Sequence, residues 1–258
     1  MEKKVICSKS IADHLLGNSL FQLAALVSLS KEYGYKIEIP KKYSFDKFMD
    51  IPSDWLVDSA SSYSLYNEPK FSYSKITLTD STEIDGYFQS EKYFKEYEDD
   101  IKKVMTLKPE HKDILTSKLP SNGNKNVSLH IRRGDYLRLQ HIHPIMSMDY
   151  FVNGINHIKN ELGGDVNLII FSDDITWCKE NFTNLNDDLL FVEGQNDYDD
   201  LFMMSYCDHN IISNSSFSWW GAWLNPNPTK VVIAPTKWFG PTITHNTNDL
   251  IPMTWVKL

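Results

Sequence analysis

A chain of 258 residues with 41% hydrophobic and 13% aromatic residues is long enough for a substantial core and too apolar to be disordered. Its net charge of -8 excludes a broad nucleic-acid or anionic-membrane surface, so any bound anion needs a local cluster of basic groups. Cys7, Cys178 and Cys207 lie far apart without C-x-x-C or Cys/His spacing, which argues against a disulfide framework or a zinc site.

Residues 3–7 (KKVIC) read as a short buried strand. After a loop, Leu20, Phe21, Leu23, Ala24, Leu26 and Val27 recur at helical spacing until Gly34 stops the helix. Residues 35–39 alternate as a second strand and halt at Pro40, so the chain opens as β-loop-α-β, the start of a parallel-sheet domain. Residues 40–82 are rich in Ser, Tyr and Asp without clear periodicity and are expected to form loops with short helices. Residues 83–105 predict a strand, a turn and an amphipathic helix, and a second helix covers 109–118.

The stretch LPSNGNKN (119–126) has the composition of a linker. Beyond it, strands are predicted at 127–131, 167–172, 189–193, 210–214 and 230–235, with helices at 148–162, 175–182, 198–207 and 217–224. That alternation predicts a doubly wound parallel sheet. The expected architecture is two α/β domains, 1–122 and 123–258, with the last residues free to pack back on the first. No apolar run approaches the ~20 residues of a membrane span, and the start lacks the apolar core of a signal peptide. A soluble, cytoplasmic protein is expected, and the sequons at Asn126, Asn181 and Asn214 are then chance matches.

Of 26 basic residues only Arg132, Arg133 and Arg138 are arginine, all within seven positions. Arg132 and Arg133 stand where the strand 127–131 runs into Gly134, and ligands of open parallel sheets bind outside the carboxyl ends of strands. A guanidinium grips phosphate at two points, as an ammonium cannot. A structural ion pair, with Asp135 holding Arg133, is the alternative. No glycine-rich phosphate loop is present, so a phosphate would rely on arginine and helix N-termini.

One such terminus lies in SNSSFSWWGAWLN (213–225), where Ser213, Asn214, Ser215 and Ser216 outnumber what one helix cap requires. Trp219 and Trp223, at i and i+4, read as core. Asp173 and Asp174 end the strand FSDD; capping of the next helix accounts for one of them, and a base, sugar hydroxyl or arginine for the other. Asp197 and Asp199 form the D-x-D spacing that holds a divalent metal in many sugar transferases, but directly before a helix their expected role is capping. His130 is either a structural histidine or part of the arginine site, and His14, His141 and His143 have no assigned place.

The combination resembles the bacterial-type alpha-1,2-fucosyltransferases, glycosyltransferase family 11. LGNSLFQLAAL (16–26) is similar to the family's Gly-Asn loop and helix, GYFQSEKYF (86–94) to its middle motif and HIRRGDY (130–136) to its arginine motif. FSDD and the tryptophan segment match its carboxyl-terminal motifs.

The resemblance implies a GT-B-like fold, two Rossmann-like α/β domains facing a cleft, with GDP-fucose in the second domain and a galactoside or oligosaccharide acceptor in the cleft. It implies inverting, metal-independent transfer to a galactose hydroxyl, with O2 the expected one, no cofactor, no nucleic-acid partner and no integral membrane segment. A glycolipid acceptor would hold the protein at a membrane surface.

On that resemblance Arg132 and Arg133 stabilise the departing diphosphate, with His130 and Asp135 supporting them. Ser215, Ser216 and Phe217 assist at the phosphates, Asp173 or Asp174 contacts sugar or base, and Gly17 and Asn18 lie near the donor. DHLLGNS (13–19) departs from the usual Gly-Gly-Leu-Gly-Asn-Gln, and it contains the candidate bases Asp13 and His14. The competing expectations are a metal-dependent transferase using Asp197 and Asp199, a glycan-binding module, and a GDP-binding pseudoenzyme.

Overall fold

The structure, a computed structural model, describes residues 3–41, 45–183, 185 and 187–258. The chain divides into two compact units, Met1–His111 with His245–Pro252, and Lys112–Thr244 with Met253–Leu258.

The first unit runs β1 (Val5–Cys7), α1 (Leu16–Tyr33), β2 (Lys36–Pro40), β3 (Leu56–Val57), β4 (Ser64–Asn67), β5 (Thr82–Asp85) and α2 (Glu98–Val104). Its strands pair in parallel in the order β3-β2-β1-β5-β4. Helix α1 is buried almost continuously from Leu16 to Leu29, as expected of a helix apolar on all sides. It begins four residues before the predicted periodic run, so Gly17 and Asn18 lie in its first turn rather than in a loop.

The stretch 40–82 contains the expected short helical turns and also β3 and β4. Strand β4 carries mostly exposed side chains, so no hydrophobic alternation announces it; its backbone pairing with β5 makes it a strand. Residues 42–44 of that stretch lie outside the described residues.

Helix α3 (Pro109–Ser117) spans the division between the units. The second unit continues with β6 (Lys125–Ile131), α4 (Met148–Leu162), β7 (Val166–Ser172), α5 (Ile175–Phe182) and β8 (Asp188–Phe191). It ends with α6 (Asp197–Ser205), β9 (His209–Ile211), α7 (Ser216–Trp223), β10 (Val232–Ala234) and β11 (Val256–Lys257). All pairs are parallel, in the order β11-β10-β9-β6-β7-β8.

Successive residues of β7 alternate between two cores. Leu168 and Ile170 pack with Val127, Leu129, Phe151, Ile155 and Phe182, whereas Ile169 and Phe171 pack with Met203, Met204 and Cys207. Burial on both faces explains the unbroken apolar run Leu168–Phe171 in β7.

The stretch 119–126, read as a linker, belongs to the second unit. Asn122 Nδ2 donates to Asn167 Oδ1 at 3.0 Å, and Leu119 packs on the Ile169 cluster, so side-chain bonding accounts for its polar composition. Residues 245–252 group with the first unit, and the chain then returns to the second sheet as β11. No helix among the described residues is long and apolar enough to cross a membrane.

Candidate functional site

The strand order of the second sheet reverses between β6 and β9. Crevices outside the carboxyl ends of strands at such a reversal are where open α/β sheets bind ligands. Three loops meet there. The Arg132 backbone N–H donates to Ser213 Oγ at 3.2 Å, and Ser213 Oγ donates to the His130 carbonyl at 2.7 Å, which joins the ends of β6 and β9. The Arg133 backbone N–H donates to Asp173 Oδ1 at 2.8 Å, which adds the end of β7.

Neighbouring residues leaving a strand point to opposite sides, and the two arginines find different partners. Arg132 bridges Asp135, at 2.7 Å from one terminal nitrogen, and Asp173, at 2.9 Å from the other. Its guanidinium carbon lies 5.2 Å from the centre of the Tyr136 ring. Arg133 places Nε 3.1 Å from Asp174 Oδ2 and its guanidinium carbon 3.8 Å from the centre of the Trp177 ring. Asp135 therefore pairs with Arg132, not with Arg133 as the structural alternative had it.

Asp174 also caps α5, its Oδ1 accepting the Trp177 N–H at 3.2 Å. Capping and arginine binding thus share one carboxylate, and Asp173 is engaged by both arginines. A Cβ on Gly134 would overlap Asp173 Oδ2, so only glycine allows this close approach.

His130 is buried with its ring 5.6 Å from Phe217. Burial, with the Arg132 charge, lowers its pKa to about 3, so the imidazole is neutral near neutral pH. Its support of the arginines runs through its carbonyl and Ser213. Ser215 occupies the N-cap position of α7 without a side-chain capping bond, and Ser216 and Phe217 begin the helix. Trp219, Trp220 and Trp223 are all buried, as expected of core residues.

Asp197 and Asp199 fall in the first turn of α6, where Asn196 is the cap, accepting the Asp199 N–H at 2.9 Å. Gly17 and Asn18 belong to the first unit, where Asn18 Oδ1 accepts from Gln89 Nε2 at 2.8 Å. That bond ties the amino-terminal motif to the middle motif.

Sequence reasoning did not single out Trp177, Tyr136 or His143. Trp177 follows Asp174 at ordinary helical spacing, and nothing in that spacing announces a platform for Arg133. The Tyr136 ring stacks on His143 at 4.7 Å, and Tyr136 OH donates to the Asn214 carbonyl at 3.2 Å. Burial raises the Tyr136 pKa to about 12, so its hydroxyl keeps its proton.

The profile of glycosyl transferase family 11 matches residues 34–258, which leaves the amino-terminal motif outside the match. The chain is 35% identical over 188 residues to alpha-1,2-colitosyltransferase of Escherichia coli, covering 70% of this chain and 64% of that protein. It is 40% identical over 136 residues to the O-antigen biosynthesis glycosyltransferase WbnK of Escherichia coli, covering 51% of this chain and 44% of that one. These alignments therefore span less than two thirds of either relative's length.

In fold it resembles the crystal structure of NodZ alpha-1,6-fucosyltransferase soaked with GDP-fucose. That likeness has a TM-score of 0.57 and 14% identity, covering 87% of this chain and 94% of that one. With two parallel sheets in a GT-B-like α/β architecture and a profile match over most of its length, this chain belongs to glycosyl transferase family 11.

Proposed function

We propose that this chain is an inverting, metal-independent fucosyltransferase that moves L-fucose from GDP-fucose to O2 of a galactose-type acceptor during glycan assembly. The observation that carries the reading is the convergence, at the reversal point of the second sheet, of Arg132, whose backbone N–H is tied to Ser213 two residues before the α7 N-cap, and Arg133, tied to Asp173 and Asp174. The alpha-1,2 transferases among its relatives support the linkage, and the likeness in fold to NodZ soaked with GDP-fucose supports the donor.

In the reaction the acceptor hydroxyl attacks the anomeric carbon as that carbon's bond to the diphosphate oxygen breaks, and the hydroxyl proton is lost late, to solvent, as the new glycosidic bond forms. Negative charge develops on the departing GDP, and preorganised donors are worth most there. Asp174 and Trp177 fix the Arg133 guanidinium before any ligand arrives. Arg132 is held from the Asp173 side, while its other partner, Asp135, has a side chain 53% exposed and can yield its place to a phosphate oxygen. The α7 amino terminus, at Ser215, Ser216 and Phe217, takes the other phosphate. Asp173 and Asp174 position the arginines. On this reading the protein works in the cytoplasm, and at the membrane surface where its acceptor is a glycolipid.

A second donor is favoured by the colitosyltransferase relative. Colitose is fucose without its 3-hydroxyl, and a site that hydrogen-bonds a hydroxyl discriminates strongly against the analogue lacking it. Side-by-side rates with GDP-fucose and GDP-colitose decide between the donors, and proton NMR of the product gives linkage and anomeric configuration. A retained anomeric configuration, or linkage to a position other than O2, contradicts the proposal.

A further inference from the structure

In the first sheet β1 and β5 lie side by side in parallel, between β2 and β4. Two loops leave the carboxyl ends of these strands, residues 8–15 after β1 and residues 86–90 after β5. Because β1 and β5 are parallel neighbours, the two loops emerge side by side at the same end of the sheet.

The loop after β5 is conformationally costly. Gly86 has φ +152°, and Phe88 has φ +50°, a left-handed value that bulky residues avoid. Glu68 holds it there: Oε2 accepts the N–H groups of Tyr87 at 2.8 Å and Phe88 at 3.0 Å, while Oε1 accepts the Tyr93 hydroxyl at 3.0 Å. A Cβ on Gly86 would overlap this glutamate. Strain maintained by a dedicated carboxylate is grounds to ask what the loop presents.

It presents Tyr87. While Phe88 is wholly buried, Tyr87 is 44% exposed. Its ring centre lies 5.7 Å from His14, in the other loop, and 6.4 Å from Phe71, which stacks on His245 at 4.8 Å. Leu15, beside His14, is 75% exposed. Polar groups stand at the same strand ends, where Ser10 Oγ donates to Asp85 Oδ1 at 2.7 Å. An exposed aromatic ring beside an imidazole, with a hydroxyl and a carboxylate at the same strand ends, suits a pyranose, whose C–H face packs on a ring while its hydroxyls bond to polar groups. Galactose fits best, because its axial O4 gathers the hydrogens of C3, C4 and C5 on one face.

We infer that Tyr87 is the stacking platform for the galactose unit of the acceptor, an assignment that rests on the transferase reading and gives its acceptor a named contact. The test compares the wild type, Tyr87→Phe and Tyr87→Ala, with lactose and N-acetyllactosamine as probes. Calorimetry measures galactoside binding to the GDP-bound protein, steady-state assays measure acceptor KM, and the Kd for GDP reports an intact fold. Tyr87→Leu replaces the alanine variant if the latter fails to fold.

Expected are near-normal values for Tyr87→Phe and a rise of about three- to tenfold in acceptor Kd and KM for Tyr87→Ala, at unchanged GDP affinity. Acceptor binding that Tyr87→Ala leaves untouched overturns the platform, whatever the transfer rate. Galactoside binding that depends on Tyr87 in a protein that transfers nothing supports the platform and sinks the transferase reading. No galactoside binding by the wild type overturns the platform as well.

Discussion

The Arg133 guanidinium sits over the Trp177 ring with its carbon 3.8 Å from the ring centre. The same side chain holds Asp174 through Nε at 3.1 Å, so one planar cation satisfies a ring face and a carboxylate at once. A lysine offers a point charge without that geometry, which explains an arginine at position 133 in a chain otherwise basic mostly through lysine.

Arg133→Lys removes both contacts and Trp177→Leu removes one. Each is expected to destabilise the second unit, by about 1–3 kcal/mol for the lysine variant, through the lost stack and hydrogen bond. Urea unfolding monitored by tryptophan fluorescence measures this, and the lysine variant should be the less stable of the two.

Arg132 is expected to matter more for rate than for stability. Its side chain is 26% exposed and one partner, Asp135, is largely solvated, so the ion pair contributes little to folding. Arg132→Lys should lower kcat by on the order of 10²-fold, as removal of one charge-stabilising donor does. Steady-state kinetics with near-normal kcat would make the cluster structural.

Gly134→Ala places a methyl group where Asp173 Oδ2 stands, so the carboxylate must move away from both arginines. The expected cost is about 1–3 kcal/mol of stability, together with a fall in activity. Because the clash is with one side chain, the effect should be strongly non-additive with Asp173→Ala, and a double-mutant cycle in urea checks this.

Much of the second unit was legible from its sequence because β6 and β7 are buried on both faces and helical runs separate the strands. Strand β4 was not, since an exposed edge strand held by backbone pairing leaves no apolar pattern. The stretch 119–126 reads as a flexible tether because of its run of Asn, Gly and Ser, whereas Asn122 and Asn126 both bond Asn167 of β7. At the site, the arginines stood out by residue type alone. Their partners did not, because Asp135, Asp173 and Asp174 are all near in sequence or at a strand end, and only the opposed directions of adjacent side chains assign them.

Asp200, in the first turn of α6, has its pKa raised to about 6 by burial, with the Asp199 and Asp197 charges adding and Gln195 and Lys118 opposing. A carboxylate raised in the folded state contributes stability below its unfolded pKa, and that contribution is lost as pH rises through the folded value. From pH 4 to pH 8, Asp200→Asn should gain on the wild type by on the order of 1–3 kcal/mol. Thermal unfolding across that range checks the slope; a difference independent of pH would show that Asp200 is ionised normally.

The measurement that tests the central claim most directly is transfer from GDP-fucose to a panel of β-galactosides with EDTA present throughout, counting free fucose separately. The account predicts an alpha-1,2-fucosylated product, formed at a rate unchanged by the chelator and greatly reduced in Arg132→Lys. Galactosides left unmodified, with neither GDP binding nor release of free fucose, would contradict it.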